Sequence, residues 1–265
     1  MVKPDYLVLK IGGSLFSDKS GADQLDLAAM DRYAALIGRI AAEFPGRLVL
    51  VTGGGAHGHG AIRRNRSGGT FALAELTRAL FVVKDVWAER LALAGVDALP
   101  LQLAAFSVLR AGRPETGSAV ISGALAAGLL PILSGDCLLT SDGELAAFSS
   151  DRVPEALVDV LGGTMRAITY TDVPGILAGG PGGTVLRQVD ALRPEEAHRE
   201  LWPQSEWDST GAMHSKLDAL VACARAGAEC FIMRGDPEIA DAGLLLGPVS
   251  EWPDDWQYTR IARED

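Results

Sequence analysis

The sequence predicts an α/β fold, a three-layer αβα sandwich built around a mostly parallel sheet. Short apolar runs typical of buried strands alternate with amphipathic helical patterns along all 265 residues. Glycine-rich turns follow several of these runs, and in open α/β sheets ligands bind at such turns, beyond the carboxyl ends of the strands. The length suits a single domain with a substantial core, and no internal repeat or linker interrupts it.

The chain begins with a predicted strand over residues 6–11, an apolar run that ends in Gly12-Gly13-Ser14. A helix over 26–44 follows, because Asp26 can cap it and apolar residues then recur at helical spacing. Pro45-Gly46 ends this helix.

The next strand, over 47–52, leads into a loop of glycines and histidines at 53–60. Residues 61–64 can open a helix after this loop. A long helix over 73–91 follows, with apolar residues at i+3 and i+4 spacing and Gly95 as its stop. We interpret its apolar face as core or dimer interface.

The second half continues the alternation of strands and helices. Predicted strands cover 98–103, 130–133, 138–140, 144–148, 166–170, 230–233 and 257–261, the last as an edge strand. Predicted helices cover 120–127, 154–161 and 212–226. Ser141-Asp142-Gly143 indicates a hairpin between 138–140 and 144–148.

Composition excludes several classes of partner. The net charge of −10 argues against binding to nucleic acid or to an anionic membrane surface, although a cleft can still concentrate positive potential locally. No apolar run approaches the roughly 20 residues of a spanning helix, and no basic-then-apolar leader opens the chain, so we expect a cytoplasmic protein. Cys137, Cys223 and Cys230 lack metal-ligand spacing, which favours buried, reduced thiols.

Lysine is rare and its positions are informative. It occurs only at positions 3, 10, 19, 84 and 216, whereas all other basic residues except histidine are arginine. Lys10, Lys19 and Lys216 lie in or beside glycine-containing motifs. These are candidate positions where a compact ammonium is needed rather than a planar guanidinium.

Two familiar nucleotide motifs fit poorly. Gly53-x-Gly55-x-x-Gly58 matches the dinucleotide-binding pattern, but the acidic residue at the right distance, Glu75, lies in a helical pattern and not at a strand end. The pattern also follows the second strand and not the first. No Gly-x-x-x-x-Gly-Lys-Ser/Thr sequence is present, which excludes a Walker-type P-loop.

The chain contains instead several separate turns suited to phosphate. Each joins a strand or a loop to a predicted helix start, where exposed N–H groups and the helix dipole favour anions. These turns are Gly12-Gly13-Ser14, Gly53-Gly54-Gly55, Ser149-Ser150-Asp151 and Asp208-Ser209-Thr210-Gly211. Together with the three lysines and His59, they predict two phosphate-bearing ligands that face each other, and therefore a phosphotransferase.

Four segments resemble the motifs of the amino acid kinase family, which also contains acetylglutamate, uridylate and isopentenyl phosphate kinases. These segments are residues 7–14, the glycine loop at 53–60, and residues 171–176 and 210–216. The resemblance implies the amino acid kinase fold and transfer of the γ-phosphoryl group of MgATP. Gly58-His59 is similar to the branch whose acceptors carry a phosphate or a phosphonate.

Within that branch, nearly the whole chain resembles the fosfomycin resistance kinases. The segments that carry this resemblance are residues 10–17, 58–63, 100–105, 148–155 and the stretch from 205 through 237. The implied acceptor is the phosphonate of fosfomycin. His57 departs from the pattern, in which an aromatic residue such as phenylalanine is expected.

The resemblance also implies residue roles. The implied catalytic residues are Lys10, Lys19, His59, Asp151, Asp208 and Lys216. The implied acceptor ligands are Gly54, Gly55, His59, Ser149, Ser150 and Thr210. The implied nucleotide ligands are Lys10, Gly12, Gly13, Ser14, Thr171, Asp172, Gly175, Gly211 and Lys216. Asp151 and Asp208 are expected to organise Mg²⁺ through water, although plain helix capping is the simpler alternative for both.

The resemblance further implies a homodimer. It assigns acceptor binding to an N-terminal lobe of about residues 1–165 and nucleotide binding to a C-terminal lobe of about residues 166–265. Two alternatives remain open at this stage. One is an isopentenyl phosphate kinase or another kinase of small phosphate monoesters, which would need an apolar channel beside the acceptor. The other is a catalytically silent nucleotide-binding storage or sensor protein, against which the two lysines and two aspartates argue.

Overall fold

The computed structural model describes residues 3–17, 24–64, 70–180, 182–201, 212–237 and 242–264. The strands are β1 (Tyr6–Ile11), β2 (Leu48–Thr52), β3 (Ala98–Pro100), β4 (Ser107–Arg110), β5 (Arg113–Thr116), β6 (Leu130–Ser134), β7 (Asp136–Thr140), β8 (Leu145–Phe148), β9 (Met165–Thr171), β10 (Gln188–Asp190), β11 (Glu229–Arg234) and β12 (Tyr258–Ala262). The α-helices are α1 (Leu27–Glu43), α2 (Gly55–Arg64), α3 (Thr70–Leu93), α4 (Ala119–Ala126), α5 (Val153–Leu161), α6 (Glu195–Glu200), α7 (Ala212–Arg225) and α8 (Ala242–Leu246).

The main sheet has the strand order β10-β12-β11-β9-β1-β2-β6-β3. All neighbouring pairs are parallel except β11 and β12, which confirms the predicted mostly parallel sheet. The prediction of an edge strand at the C-terminal end is wrong, because β12 lies between β10 and β11. The short strand β10, which the sequence pattern did not indicate, forms that edge instead.

The core confirms the three-layer arrangement, because alternate residues of the central strands face opposite layers of helices. On one face, Val8 of β1 packs in a cluster with residues of α4, α5, α6 and α7. On the other face, Leu7, Leu9 and Ile11 pack with residues of α1, α3 and α8. The sheet is therefore covered by helices on both sides.

A smaller sheet with the order β5-β4-β7-β8 extends the fold. It contains the predicted hairpin of β7 and β8, which pair antiparallel. It also contains a hairpin of β4 and β5 that the sequence did not predict. This second hairpin turns at Ala111 and Gly112, both at positive φ. Pro114 lies in β5 at the edge of this sheet, where a missing N–H is tolerated.

The two long helices follow the sequence prediction closely. Asp26 caps α1 by accepting a hydrogen bond of 2.9 Å from the Ala29 amide. Trp87 of α3 is fully buried and donates to the Thr52 hydroxyl at 2.8 Å, which fixes this helix against β2. The apolar stripe of α3 is therefore largely core.

Two predictions from composition can be compared with the structure. Cys137, Cys223 and Cys230 are buried and free, as expected for reduced thiols. Within the described ranges, no helix combines the length and the apolar character required to cross a bilayer.

Candidate active site

The candidate site lies at the carboxyl ends of the central strands. β1 is flanked by β2 and β9, so the turns that follow these three strands meet at one edge of the sheet. The turn after β1 contains Gly12 and Gly13, the turn after β2 contains Gly53 and Gly54, and β9 ends at Thr171.

The two glycine turns pack against each other backbone to backbone. A Cβ atom on Gly13 would lie 2.4 Å from the Gly55 nitrogen, and one on Gly53 would lie 2.4 Å from the Gly13 nitrogen. Gly55 also has a φ of +53°, which favours glycine. The glycines predicted to approach phosphate are thus required for the approach of one turn to the other.

Helix α2 begins earlier than the sequence suggested. The pattern predicted a loop over 53–60 with a helix opening at 61, but the helix begins at Gly55. The N-terminus of α2 therefore lies at the site, where the helix dipole favours an anion. His57 lies in the first turn of α2, half-buried, and its Nδ1 lacks a hydrogen-bond partner in the described part of the chain.

A residue that the sequence analysis missed, Ser17, joins the two glycine turns. Its hydroxyl donates to the Gly13 carbonyl at 2.8 Å and accepts from the Ala56 amide at 2.9 Å. Ser17 is 8% exposed. One hydroxyl therefore links the turn after β1 to the first turn of α2. The available signal was its place at the end of the segment 10–17, which carries the resemblance, but no role was assigned to it there.

We expect Ser17→Ala to lower kcat about 10-fold and the free energy of unfolding by about 1–3 kcal/mol, since a buried amide loses its acceptor. Steady-state kinetics and urea denaturation would measure both effects. Ser122→Ala, on the exposed face of α4, is a matched control for which we expect a change within about 0.5 kcal/mol. Unchanged turnover in Ser17→Ala would show that the link does not set the geometry of the site.

Three charged side chains form the centre of the site. Lys10, near the end of β1, places its Nζ 2.5 Å from Oδ1 of Asp151. Lys216 of α7 places its Nζ 3.7 Å from Oδ2 of the same carboxylate. The Lys10 side chain is 3% exposed, and those of Asp151 and Lys216 are 15% and 16% exposed. The structure thus brings together three predicted residues that are far apart in sequence.

The charged groups of this triad shift the pKa values of Lys10 and Asp151. Burial lowers the pKa of Lys10, Asp151 opposes that shift, and Lys216 adds to it. Burial alone would raise the pKa of Asp151, but the two lysines outweigh it and hold the pKa below the usual range. Asp151 is therefore an ionised carboxylate held between two ammonium groups, and a poor general base.

The local sequence explains how Asp151 is presented. Ser149 caps the short 3₁₀ turn at 150–152, because its hydroxyl accepts from the Asp151 amide at 3.2 Å. Plain helix capping was the simpler alternative for Asp151, but in the structure Ser149 has that role. Gly135 allows the turn to approach, since a Cβ there would lie 2.9 Å from the Ser150 nitrogen.

The other side of the site is formed by the ends of β9 and β11. Thr171 donates to Asp172 at 2.9 Å. Gly175 packs against β12, where a Cβ would lie 2.8 Å from the Thr259 hydroxyl oxygen. Gly235, which lies in one of the segments that carry the resemblance but was given no role there, donates to the Thr171 carbonyl at 2.9 Å and packs under Leu15. Its signal was the Gly-Asp-Pro sequence just beyond the predicted strand over 230–233.

Several predicted site residues cannot be placed. Lys19, Asp208, Thr210 and Gly211 lie outside the described residues, as does the side chain of His59. Within the described ranges, no group of three histidine, cysteine, aspartate or glutamate residues could hold a metal ion. Both carboxylate oxygens of Asp151 face lysines, so a metal here would be held by phosphate groups and water rather than directly by Asp151.

Comparisons with known proteins show a family and several similar chains. A model of the amino acid kinase family matches residues 5–234. Isopentenyl phosphate kinase of Methanothermobacter thermautotrophicus is 27% identical over 252 residues, covering 86% of this chain and 90% of that protein. Isopentenyl phosphate kinase of Methanocaldococcus jannaschii is 25% identical, covering 91% of this chain and 95% of that protein. A solved structure of isopentenyl phosphate kinase shares the fold, with a TM-score of 0.76, 23% identity, and coverage of 97% of this chain and all of the other.

Proposed function

The chain belongs to the amino acid kinase family and is an ATP-dependent kinase, and we propose that its acceptor is a small organic phosphate or phosphonate. The observation that carries this proposal is the Lys10–Asp151–Lys216 triad. The carboxylate at the centre is ion-paired and its pKa is lowered, so it is poorly suited to remove a proton from an acceptor hydroxyl. An acceptor oxygen that is already anionic, on a phosphate, a phosphonate or a carboxylate, needs no such base. Among these acceptors, the two isopentenyl phosphate kinase relatives favour one that carries phosphorus.

In this proposal the protein acts by neutralising charge and by alignment. Lys10 and Lys216 contact the transferred phosphoryl group, and Asp151 fixes both ammonium groups before the nucleotide arrives. The nucleotide is bordered by the amides of Gly12 and Gly13 and by Ser14, Thr171, Asp172, Gly175 and Gly211. Lys19 bridges the donor and the acceptor.

The acceptor lies at the N-terminus of α2 in this proposal. The amides of Gly54 and Gly55 donate to its anionic group, together with His59, Ser149, Ser150 and Thr210. Residues 1–165 thus supply most of the acceptor site and residues 166–265 most of the nucleotide site. We also propose a homodimer, for which α3 offers Phe81 and Val82, both nearly half exposed.

Mg²⁺ fits this arrangement only as an ion carried by the phosphates of ATP. Asp151 and Asp208 would act on it through water, because the oxygens of Asp151 are already in contact with Lys10 and Lys216. When bound, the ion would supply neutralisation of negative charge on the phosphate oxygens. The protein residues would still align the two reacting groups.

Two acceptors are candidates. Isopentenyl phosphate is favoured by the two archaeal relatives, whose names state that activity. Fosfomycin is favoured by the resemblance of residues 148–155, the segment that contains Ser149, Ser150 and Asp151. Both acceptors offer an anionic oxygen bound to phosphorus, and they differ in the size and polarity of the remaining carbon skeleton.

A coupled assay of ATP consumption tests the proposal. We expect turnover with isopentenyl phosphate or fosfomycin to exceed turnover with glutamate by at least about 100-fold, because glutamate lacks the phosphorus group that the site is built to neutralise. Glutamate is the relevant control, since glutamate 5-kinase of Novosphingobium aromaticivorans is also similar to this chain. Turnover of glutamate with neither phosphorus compound accepted would contradict the proposal.

A further inference from the structure

Helix α3 carries a buried ammonium group beside the candidate site. Lys84 is 1% exposed, and its Nζ donates to the Leu101 carbonyl at 2.7 Å and to Oε1 of Gln102 at 2.6 Å. Burial lowers the pKa of Lys84 to about 8, and Asp136 opposes that shift. Lys84 is therefore still mostly protonated at neutral pH, with its hydrogen bonds to oxygen atoms that do not carry charge.

The carboxylate that offsets the charge of Lys84 is that of Asp136, and the side chain of Gln102 connects the two. The Gln102 amide donates to Oδ1 of Asp136 at 2.8 Å. Asp136, at the start of β7, is 1% exposed and also accepts from the amides of Ala104 and Cys137 at 2.9 Å and 2.8 Å. Lys84, Gln102 and Asp136 thus form a continuous hydrogen-bonded chain, which we call the α3–β7 network.

The α3–β7 network lies directly behind the acceptor side of the site. Leu80, on the same face of α3 as Lys84, contacts the glycine turn, with its Cδ2 2.9 Å from the position of a Cβ on Gly54. Gly135, which precedes Asp136, packs against the backbone of Ser150, since a Cβ on Gly135 would lie 2.9 Å from the Ser150 nitrogen. The network therefore lies next to two residues, Leu80 and Gly135, that contact Gly54 and Ser150, the two walls between which the proposed acceptor anion would lie.

Entry of an apolar group into a buried, hydrogen-bonded network of this kind costs free energy. An alkyl chain that entered this space would have to break hydrogen bonds of an ammonium group and a carboxylate without replacing them, and unpaired buried charges are costly. A short polar skeleton does not need that space. The structure thus favours one chemical class among the acceptors considered above.

We propose that the α3–β7 network closes the acceptor pocket and restricts the acceptor to a compact phosphate or phosphonate, excluding those with a prenyl chain. This inference rests on the proposed function, because it specifies the acceptor of the same site. Lys84 and Asp136 act through the shape and polarity of the pocket wall and do not contact the transferred phosphoryl group.

The test compares kcat/KM for isopentenyl phosphate with kcat/KM for fosfomycin. We expect the wild-type protein to prefer fosfomycin, and Lys84→Met to shift the ratio at least about 10-fold towards isopentenyl phosphate, in line with the range for apolar contacts in a pocket. The double variant Lys84→Met/Asp136→Asn removes both charges, so it tests the same shift without leaving a buried carboxylate unpaired. Lys3→Met, at an exposed lysine that precedes β1, is the matched control and should leave the ratio unchanged.

The outcomes separate the two proposals. A wild-type protein that uses isopentenyl phosphate as well as fosfomycin would overturn the restriction and leave the proposed function intact. A ratio within about twofold of wild type in both variants, with thermal unfolding still cooperative, would overturn it as well. Wild-type activity with neither compound would overturn the proposed function itself, and the restriction with it.

Discussion

Asp151→Asn is expected to lower kcat by about 10³-fold while the protein remains folded. Asparagine has nearly the same shape but removes the negative charge that lies between Lys10 and Lys216. Loss of one preorganised electrostatic group in an active site costs roughly 10²–10³ in turnover, and here two cations depend on the same carboxylate. Of the substitutions considered, this one changes the charge of the site with the least change in packing.

Lys10 explains why the effect should be large. Its side chain is 3% exposed, and Asp151 is its ion-pair partner at 2.5 Å. Without that carboxylate, burial and the charge of Lys216 both act to lower the pKa of Lys10 further, with no opposing carboxylate. A neutral Lys10 would no longer offset charge on the transferred phosphoryl group.

The measurement is steady-state kinetics with ATP and the better of the two phosphorus acceptors, together with thermal unfolding. Asp159→Asn is the matched control, because Asp159 lies on the exposed face of α5, the helix that follows Asp151. We expect its turnover to stay within about twofold of wild type. Asp151→Asn with kcat within about tenfold of wild type would contradict the role assigned to the triad.

The parts of the fold that the sequence predicted well are those with uniform burial. β1 was predicted with its observed bounds, and β9 within one residue at each end, where every residue of β9 is buried. The hairpin of β4 and β5 was missed for the opposite reason. Its residues are largely polar and half exposed, and Pro114 argues against a strand, so only pairing with β7 explains it.

Helix α2 shows a different limit of local sequence. Its first six residues include three glycines, and glycine costs about 1 kcal/mol in a helix relative to alanine, so a loop was the reasonable prediction. The close contact of Gly13 with Gly55 and the hydrogen bond from Ala56 to Ser17 compensate for that cost. Tertiary packing thus overrides propensity at the point where the site needs a helix N-terminus.

Local sequence patterns predicted the members of the triad but not that they lie together. Each of its members stands beside a recognisable turn, so Lys10, Asp151 and Lys216 could be named as candidates. Their meeting depends on the strand order, since Lys10 and Asp151 are 141 residues apart and no local pattern fixes that distance. The α3–β7 network was not foreseen, because neither Lys84 nor Gln102 belongs to a glycine motif.

Gly13→Ala is expected to abolish most activity, with a loss of more than about 100-fold in kcat, and to lower the free energy of unfolding by about 1–3 kcal/mol. The added Cβ would lie 2.4 Å from the nitrogen of Gly55 and 2.6 Å from its Cα. Both are backbone atoms, which cannot rotate away as a side chain can. The turn after β1 and the start of α2 would have to separate, and these are the two elements proposed to align donor and acceptor.

Gly123→Ala provides a control with the same chemical change and the opposite expected sign. Gly123 lies within α4, and in the described part of the chain no heavy atom beyond its chain neighbours and the nearby backbone of its own helix lies within 4 Å of a Cβ placed there. Alanine should therefore stabilise the protein by about 0.5–1 kcal/mol and leave kcat unchanged, because it lowers the backbone entropy lost on folding. Urea denaturation of both variants measures the free energy of unfolding, and steady-state kinetics measure kcat. If Gly13→Ala matched Gly123→Ala in either measurement, the close contact between the two glycine turns would not be what sets the geometry of the site.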